Sequence, residues 1–195
     1  MPNEIMERGF LAMQAEIARG ARGVLLVGPP GIGLVSLARR AVEILPTPDA
    51  THLERIRHVQ FRAYATAGLI DYREPRAPER PFRAPHHTVS EAALVGAPGP
   101  YRTFTGEVAL AVGGALLLDS LTDFPRRAIE ALAGRLNAMD AAERPFIVAT
   151  ALPCPCGFLR HSERVCACGH DAIARWAERT GSWRDALRLT RIEVG

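Results

Sequence analysis

Lysine is absent from this chain of 195 residues, so all 24 of its basic Lys and Arg positions are arginines. The guanidinium of arginine binds phosphate well, but it is a poor replacement for the compact ammonium of lysine. The composition therefore excludes any function that depends on a lysine side chain. The arginines form no run longer than the pairs Arg39-Arg40 and Arg126-Arg127. This spacing does not favour a basic patch for nucleic acid. The favoured interpretation is a GC-rich genome that encodes arginine in place of lysine.

Long hydrophobic runs are also missing, since none approaches the roughly 20 residues of a membrane-spanning helix. The segment from Met1 to Gly20 has the pattern of an amphipathic helix with mixed charges rather than that of a signal peptide. We therefore expect a cytoplasmic chain that does not contact a membrane. The hydrophobic fraction of 48% and the charged fraction of 23% are ordinary for a globular protein. The length then predicts a single domain over residues 1–195.

Apolar runs and helical periods alternate along the chain. Short apolar segments bounded by turn residues are typical of buried parallel strands, and apolar residues at helical spacing indicate helices between them. This alternation predicts an α/β fold in which a central parallel sheet lies between two helical layers. The predicted strands are 23–27, 57–63, 115–119, 145–151 and 186–194. The predicted helices are 4–19, 33–45, 88–95, 106–112, 125–139 and 171–179, the last of which should end near Gly181.

A turn rich in glycine and proline joins the first strand to the next helix, with the residues Gly28, Pro29, Pro30, Gly31, Ile32, Gly33, Leu34 and Val35. Its glycine spacing matches the phosphate-binding loop G-x-x-x-x-G-K-[ST], in which backbone N–H groups cradle the phosphates of a nucleotide. Leu34 occupies the lysine position of that motif, and Val35 occupies the hydroxyl position. These eight residues are therefore candidate nucleotide-binding residues that lack the side chains for the γ-phosphate and Mg²⁺.

The apolar strand at 115–119 ends in a carboxylate, Asp119. Nucleotide hydrolases place a Mg²⁺-coordinating carboxylate at such a position, and a glutamate that activates water would usually follow. Here the following residue is Ser120, whose hydroxyl cannot act as a base at neutral pH. In the alternative interpretation, Asp119 has no role beyond ending the strand. The loop upstream favours the remnant of a Mg²⁺ site.

The four cysteines form two matched pairs, Cys154-Pro-Cys156-Gly and Cys166-Ala-Cys168-Gly. Disulfides are rare in the cytoplasm, whereas four thiolates at this spacing suit a tetrahedral Zn²⁺ ion. We therefore predict a small Cys-rich insertion at about 153–169, with His161 and His170 as reserve ligands. Its role would be structural, because four cysteine ligands leave no open position for catalysis.

Several blocks occur in an order that resembles the magnesium-chelatase-like AAA+ ATPases, and within them the ComM branch linked to competence and DNA branch migration. The resemblance extends from about Phe10 to Val194. It implies a P-loop NTPase fold of the AAA+ type that assembles into rings, commonly hexamers, with ATP and Mg²⁺ at the subunit interfaces. We expect the family's N-terminal domain and its C-terminal helical lid to be absent. The blocks are Gly28-Pro-Pro-Gly31, Arg80-Pro-Phe-Arg-Ala-Pro-His-His-Thr88, Ala93-Leu-Val-Gly96, Gly106-Glu-Val-Ala-Leu-Ala111, Leu116-Leu-Leu-Asp119 and Pro153-Cys-Pro-Cys-Gly157.

The chain departs from this family at the positions tied to hydrolysis. Besides the two loop positions and Ser120, Leu152 stands where the family has a polar sensor asparagine. The family's arginine-containing interface motif is not clearly matched here. The resemblance places Arg188 or Arg191 near the arginine-finger position. These departures predict a degenerate subunit or adaptor with no catalytic residues, in which binding of ATP or ADP with Mg²⁺ is weak or lost. Its expected partner is an intact AAA+ relative or a ring of its own copies.

Two other functions remain open at this level. An active ATP-driven motor on DNA would need Ser36, Arg39 or Arg40 to replace the missing groups, yet these residues lie too late on the helix to face the phosphates. A nucleic-acid-binding module would use the Cys-rich insertion and its zinc ion together with Arg73, Arg76, Arg80 and Arg83. Strongly salt-dependent DNA binding would favour that second possibility.

Overall fold

A computed structural model describes residues 2–70, 80–99 and 104–195 and contains a five-stranded parallel sheet. Each strand is short, and the three interior ones are fully buried, as expected for a parallel sheet that is covered on both faces. Across the sheet the order is β2-β3-β4-β1-β5. The strands are β1 (Gly23–Val27), β2 (Phe82–Arg83), β3 (Ala115–Leu118), β4 (Phe146–Ala151) and β5 (Thr190–Glu193).

Helices cover both faces of the sheet. Side chains alternate along β1, so that Val24 and Leu26 pack in one apolar cluster while Leu25 and Val27 pack in another. The cluster of Val24 and Leu26 includes side chains of α1 (Pro2–Ala18), α2 (Leu34–Arg39) and α3 (Ala41–Ile44). The opposite cluster includes side chains of α4 (Ala50–Thr66), α5 (Glu91–Val95), α6 (Glu107–Leu110), α7 (Arg126–Ala138) and α8 (His170–Leu187). The predicted three-layer α/β architecture is therefore confirmed.

The predicted strand at 57–63 is wrong, because this segment belongs to α4. Its alternating apolar residues suggested a period of two, but the buried positions Ile56, Gln60 and Tyr64 recur every four residues and share one helix face. Asp49 caps the helix by accepting a hydrogen bond of 2.9 Å from the backbone N–H three residues later. The strand that completes the sheet is β2, which lies further along the chain.

Other boundaries also differ from the prediction. The helix predicted for 33–45 is interrupted at Arg40 and forms α2 and α3. The helix predicted to end near Gly181 continues to Leu187, because Trp183 and Leu187 are buried in the core and outweigh the low helix propensity of one glycine. The last strand is correspondingly shorter than predicted. Among the helices of the described residues, none combines the length and the apolar character needed to cross a bilayer.

Arg188 caps the C-terminus of α8 and adopts the left-handed conformation with φ 55° and ψ 50°. Glycine is the usual residue at such a position, since a side chain costs about 1 kcal/mol there. We expect Arg188→Gly to raise the free energy of unfolding by about 1 kcal/mol, measured by urea denaturation. Arg188→Ala is the matched control, because it removes the same charge and keeps the strain. Equal stability of the two variants would contradict this explanation.

Candidate functional site

The predicted phosphate loop lies at the carboxyl end of β1. The backbone N–H of Gly28 donates to the carbonyl of Ala151 at 3.2 Å, which attaches the start of the loop to β4. A Cβ on Gly28 would stand only 2.5 Å from the carbonyl oxygen of Val194, so no larger residue fits there. Gly31 and Gly33 have φ angles of 83° and 91°, a conformation that favours glycine. The three glycines are thus required by the turn itself.

Two positions of the motif that usually have polar side chains are occupied by apolar residues here, and the two residues differ in burial. Leu34 is partly buried and packs against the apolar cluster under α1. Its Cδ2 lies 3.2 Å from the point where a Cβ on Gly28 would stand, so it fills the space behind the loop. Val35 is more exposed, at 37%. Ile32 also packs on the cluster, which leaves the backbone as the main source of polar groups in this loop.

Both prolines of the loop contact other parts of this edge. A Cβ on Gly157 would lie 2.7 Å from Cδ of Pro30, so the Cys-rich insertion lies directly against the loop. A Cβ on Gly195 would lie 3.3 Å from Cδ of Pro29. The loop is therefore packed between the Cys-rich insertion and the residue that follows β5 by two positions.

Asp119 follows β3 and is exposed at the same edge of the sheet as the loop. The hydroxyl of Thr150, on β4, donates to Oδ1 of Asp119 at 2.5 Å. That hydroxyl oxygen also accepts the backbone N–H of Ser120 at 2.9 Å. Ser120 itself is left-handed, with φ 55°. Thr150 thus orients the carboxylate of Asp119 and fixes the turn after it. The threonine lies on β4, between β3, which precedes Asp119, and β1, which bears the loop.

The four cysteines come together, with their Sγ atoms all within 4.8 Å of one another. Cys154 Sγ lies 3.5 Å from Cys156 Sγ and 3.6 Å from Cys166 Sγ. A tetrahedral zinc ion with Zn–S bonds of 2.3 Å would separate its sulfur ligands by about 3.8 Å. The distances fit that geometry and are far longer than a disulfide bond. The backbone N–H of Cys156 also donates to Sγ of Cys168 at 3.4 Å.

The thiols have unequal acidities. A hydrogen bond from the backbone N–H of Phe158 is the main cause that lowers the pKa of Cys156 to about 6. For Cys166, the backbone N–H of Cys168 lowers the pKa, but burial and hydrogen bonds with neighbouring thiols outweigh it and raise the pKa to about 12. Burial is the main cause that raises the pKa of Cys168. Clustered thiols do not all ionise at neutral pH unless a cation is bound among them.

Residues 7–192 match the family model described as magnesium chelatase, subunit ChlI. The chain belongs to the magnesium-chelatase family. Its similarity to solved structures lies in the fold: NtrX from Brucella abortus, solved in complex with ADP and with ATP, superimposes with a TM-score of 0.54 at 14% identity. These superpositions cover 97% of the chain and 35% and 36% of NtrX. The fold is thus the AAA+ type of P-loop NTPase fold, as predicted.

Curated relatives include proteins from several bacteria. The chain is 38% identical over 118 residues to the uncharacterized protein YifB of Escherichia coli and 39% identical over 115 residues to the competence protein ComM of Haemophilus influenzae. Each match covers 59% of this chain and 21% of the relative. An uncharacterized Mycobacterium bovis protein, Mb2921c, is 34% identical over 161 residues, which is 77% of this chain and 31% of the relative. The chain thus spans about a fifth to a third of the length of these relatives.

The reserve metal ligands of this magnesium-chelatase family member are not part of its thiol cluster. Nδ1 of His161 accepts the backbone N–H groups of Glu163 at 3.0 Å and Arg164 at 3.2 Å. The side chain of His170 is 97% exposed and lies 3.8 Å from Asp171. Within the described residues, the four cysteines are the one group of three or more potential ligands that converge.

Two residues at this site carry no motif signal and escaped the sequence analysis. Thr150 was visible as the single polar residue in the apolar run of β4, but its contact with Asp119 depends on strand order. Trp176 of α8 donates from Nε1 to the carbonyl of Leu152 at 2.8 Å and so anchors the start of the Cys-rich insertion. A cavity of about 540 Å³ lies beside Trp176, lined by the phosphate loop, the insertion and α8.

Three of the arginines considered for nucleic acid or for a neighbouring subunit have partners of their own. Arg80 donates to the carbonyl of Leu45 at 2.6 Å, and Arg83 forms a two-point ion pair with Glu107 at 2.6 and 2.9 Å. Arg73 and Arg76 lie outside the described residues. Arg191 pairs with Glu193 at 2.6 Å, whereas Arg188 precedes β5 at the opposite edge of the sheet.

Proposed function

We propose that this chain is an AAA+ subunit or adaptor that keeps the nucleotide-binding fold but does not hydrolyse ATP. The observation that carries this proposal is the packing of Leu34 at the position of the motif lysine. An apolar side chain that fills the space behind the loop supplies no charge to the phosphates, and no lysine exists elsewhere in the chain to replace it. Within the loop, the γ-phosphate would therefore contact backbone groups alone.

The acidic half of the site supports the same proposal. Asp119 is exposed and oriented by Thr150, so it could still hold a Mg²⁺ ion through its free oxygen. The next residue is Ser120, whose backbone is fixed by the same threonine and whose hydroxyl is not a base at neutral pH. Asp119 would thus coordinate the metal without a neighbouring base to activate water, and the outcome would be weak binding of ATP or ADP without turnover.

We further propose that the four cysteines hold a structural Zn²⁺ ion. The metal would be bound by Cys154, Cys156, Cys166 and Cys168 and would supply cross-linking of the insertion rather than chemistry. Because Gly157 of this insertion lies against Pro30, an ordered knuckle would also support the shape of the phosphate loop. Zinc and nucleotide binding are therefore expected to be coupled through packing.

Steady-state ATP hydrolysis tests the main proposal. We expect the wild-type chain and the Asp119→Ala variant to release phosphate from MgATP at the same rate, equal to that of the buffer. The Asp119→Ala comparison removes the contribution of any contaminating ATPase, since a contaminant is indifferent to this substitution. Hydrolysis by the wild type that disappears in Asp119→Ala would overturn the proposal and favour the ATP-driven motor.

Assembly is tested separately by light scattering. We propose that the chain joins an intact AAA+ relative or its own copies in a ring. The mass of the chain would then rise on mixing with an intact family member, or on concentrating the chain alone, with MgATP present. A monomeric mass under all these conditions, together with DNA binding that weakens steeply with salt, would instead favour the nucleic-acid-binding module.

A further inference from the structure

A second cavity, of about 430 Å³, opens at the edge of the sheet opposite the phosphate loop. It lies where β4, β1 and β5 begin, and these three strands are neighbours in the sheet. Since the phosphate loop and Asp119 follow the carboxyl ends of their strands, this cavity is separate from the candidate nucleotide site. Its size is within the usual range for small-molecule sites.

Three arginines line this cavity, each just before one of the three strands. Arg22 directly precedes β1, Arg144 precedes β4 by two residues, and Arg188 precedes β5 by two residues. No aspartate or glutamate is among the residues that line the cavity in the described part of the chain. Three positive charges therefore converge on one opening without an acidic group inside it.

The nearby acidic side chains are already paired with other arginines. Asp140 and Glu143 bind Arg55 at 3.0 and 3.4 Å, and Asp185 binds Arg184 at 2.7 Å. Glu16, near the rim, pairs with Arg19. Within residues 2–70, 80–99 and 104–195, no carboxylate forms an ion pair with any of the three cavity arginines.

The three cavity arginines differ in burial and in their contacts: Arg144 is partly buried, whereas Arg22 and Arg188 are exposed. Arg144 donates from Nε to the carbonyl of Leu136 and from a terminal nitrogen to that of Met139, each at 2.7 Å. Desolvation, followed by the charges of Arg188 and Arg144, lowers the pKa of Arg22. Arg188 occupies the left-handed position at the end of α8, where glycine would be favoured. Unfavourable backbone conformations of this kind cluster at functional sites.

The walls of the cavity are mostly apolar. Ile17, Leu45, Leu136, Phe146 and Leu187 contribute to its lining. An inorganic ion would leave this apolar surface uncovered, whereas a neutral apolar molecule would leave the arginines without a counter-charge. A ligand with both parts satisfies the whole lining, and arginine recognises carboxylate and phosphate through paired hydrogen bonds.

We propose that this cavity binds a small organic anion, namely a carboxylate or phosphate attached to an apolar ring or chain. The ligand would place its oxyanion between Arg22, Arg144 and Arg188 and its apolar body against the walls of the cavity. This site is independent of nucleotide binding and of ATP hydrolysis at the opposite edge.

Calorimetric titration with matched probes tests the proposal. We expect 1-naphthyl phosphate and 1-naphthoate to bind. We expect 1-naphthol and inorganic phosphate to bind weaker by a factor of about ten or more, because 1-naphthol lacks the oxyanion and inorganic phosphate lacks the apolar body. The relative affinities of the two anionic probes identify phosphate or carboxylate as the preferred group. Equal affinity for 1-naphthol, or for inorganic phosphate, would overturn the proposed ligand class.

Two variants locate the binding on this cavity. Arg22→Gln and Arg188→Gly should each weaken the binding of 1-naphthyl phosphate roughly tenfold, since each substitution removes a charge-assisted contact. Arg188→Gly relieves the left-handed strain, so its loss of binding cannot be ascribed to unfolding. Arg127→Gln, on the part of α7 outside the cavity, is the control and should bind like the wild type. Unchanged affinity in both cavity variants, or displacement of the probe by MgATP, would place the probe elsewhere and overturn the proposal.

Discussion

Replacing Cys154 with serine is expected to remove zinc from the chain and to lower the free energy of unfolding by about 4 kcal/mol or more, as large effects follow the loss of a metal site. Cys154 is fully buried, and its Sγ lies 3.5 Å from that of Cys156 and 3.6 Å from that of Cys166. Without its thiolate the remaining ligands cannot complete a tetrahedral site, and the binding free energy of the metal is lost from folding. Elemental analysis and urea denaturation measure the two effects.

Val165→Ser is the matched control for this experiment. Val165 belongs to the same insertion, is 92% exposed and carries no ligand atom, so its replacement should leave both zinc content and stability unchanged. A chelator should reproduce the Cys154→Ser result on the wild type, and added zinc should reverse it. Wild-type protein that is metal-free after expression in zinc-supplemented medium, and as stable as Cys154→Ser, would contradict the proposed zinc site.

Replacing Leu34 with lysine is expected to tighten MgATP binding by about 10- to 100-fold. A charge-assisted hydrogen bond contributes about 1.5–3 kcal/mol, and each 1.4 kcal/mol corresponds to a factor of about ten in affinity. The methylene stem of a lysine can follow the apolar path that Leu34 now takes while its ammonium reaches the phosphates. Calorimetric titration with MgATP measures the change.

Leu34→Met provides the control, since it keeps a long apolar side chain and adds no charge. ATP turnover should stay at the buffer rate in Leu34→Lys, because Ser120 still occupies the position of the catalytic glutamate. An MgATP affinity of Leu34→Lys equal to that of Leu34→Met would mean that the loop backbone is not shaped for phosphates. The fold would then persist here without its nucleotide site.

Local signals were sufficient for much of the fold. The apolar runs of β1, β3 and β4 were correctly predicted as buried strands, because each is short, continuous and bounded by turn residues. The segment 57–63 could not be resolved in this way, since its alternating apolar residues also fit a helix. The choice was made by contacts distant in sequence, such as that of the Gln60 side chain, which donates to the carbonyl of Val112 at 2.7 Å.

The candidate site divides along the same line. The sequence by itself determined which chemical groups are available: no lysine, a glycine-rich loop, one carboxylate after a strand and four cysteines in matched pairs. Only the tertiary structure decided which groups meet, because strand order places β4 between β1 and β3 and so brings Thr150 to Asp119. The same order gathers Arg22, Arg144 and Arg188 at the far edge, although more than 40 residues separate each from the next along the chain. Spacing reveals local motifs, whereas convergence of distant side chains depends on how the elements pack.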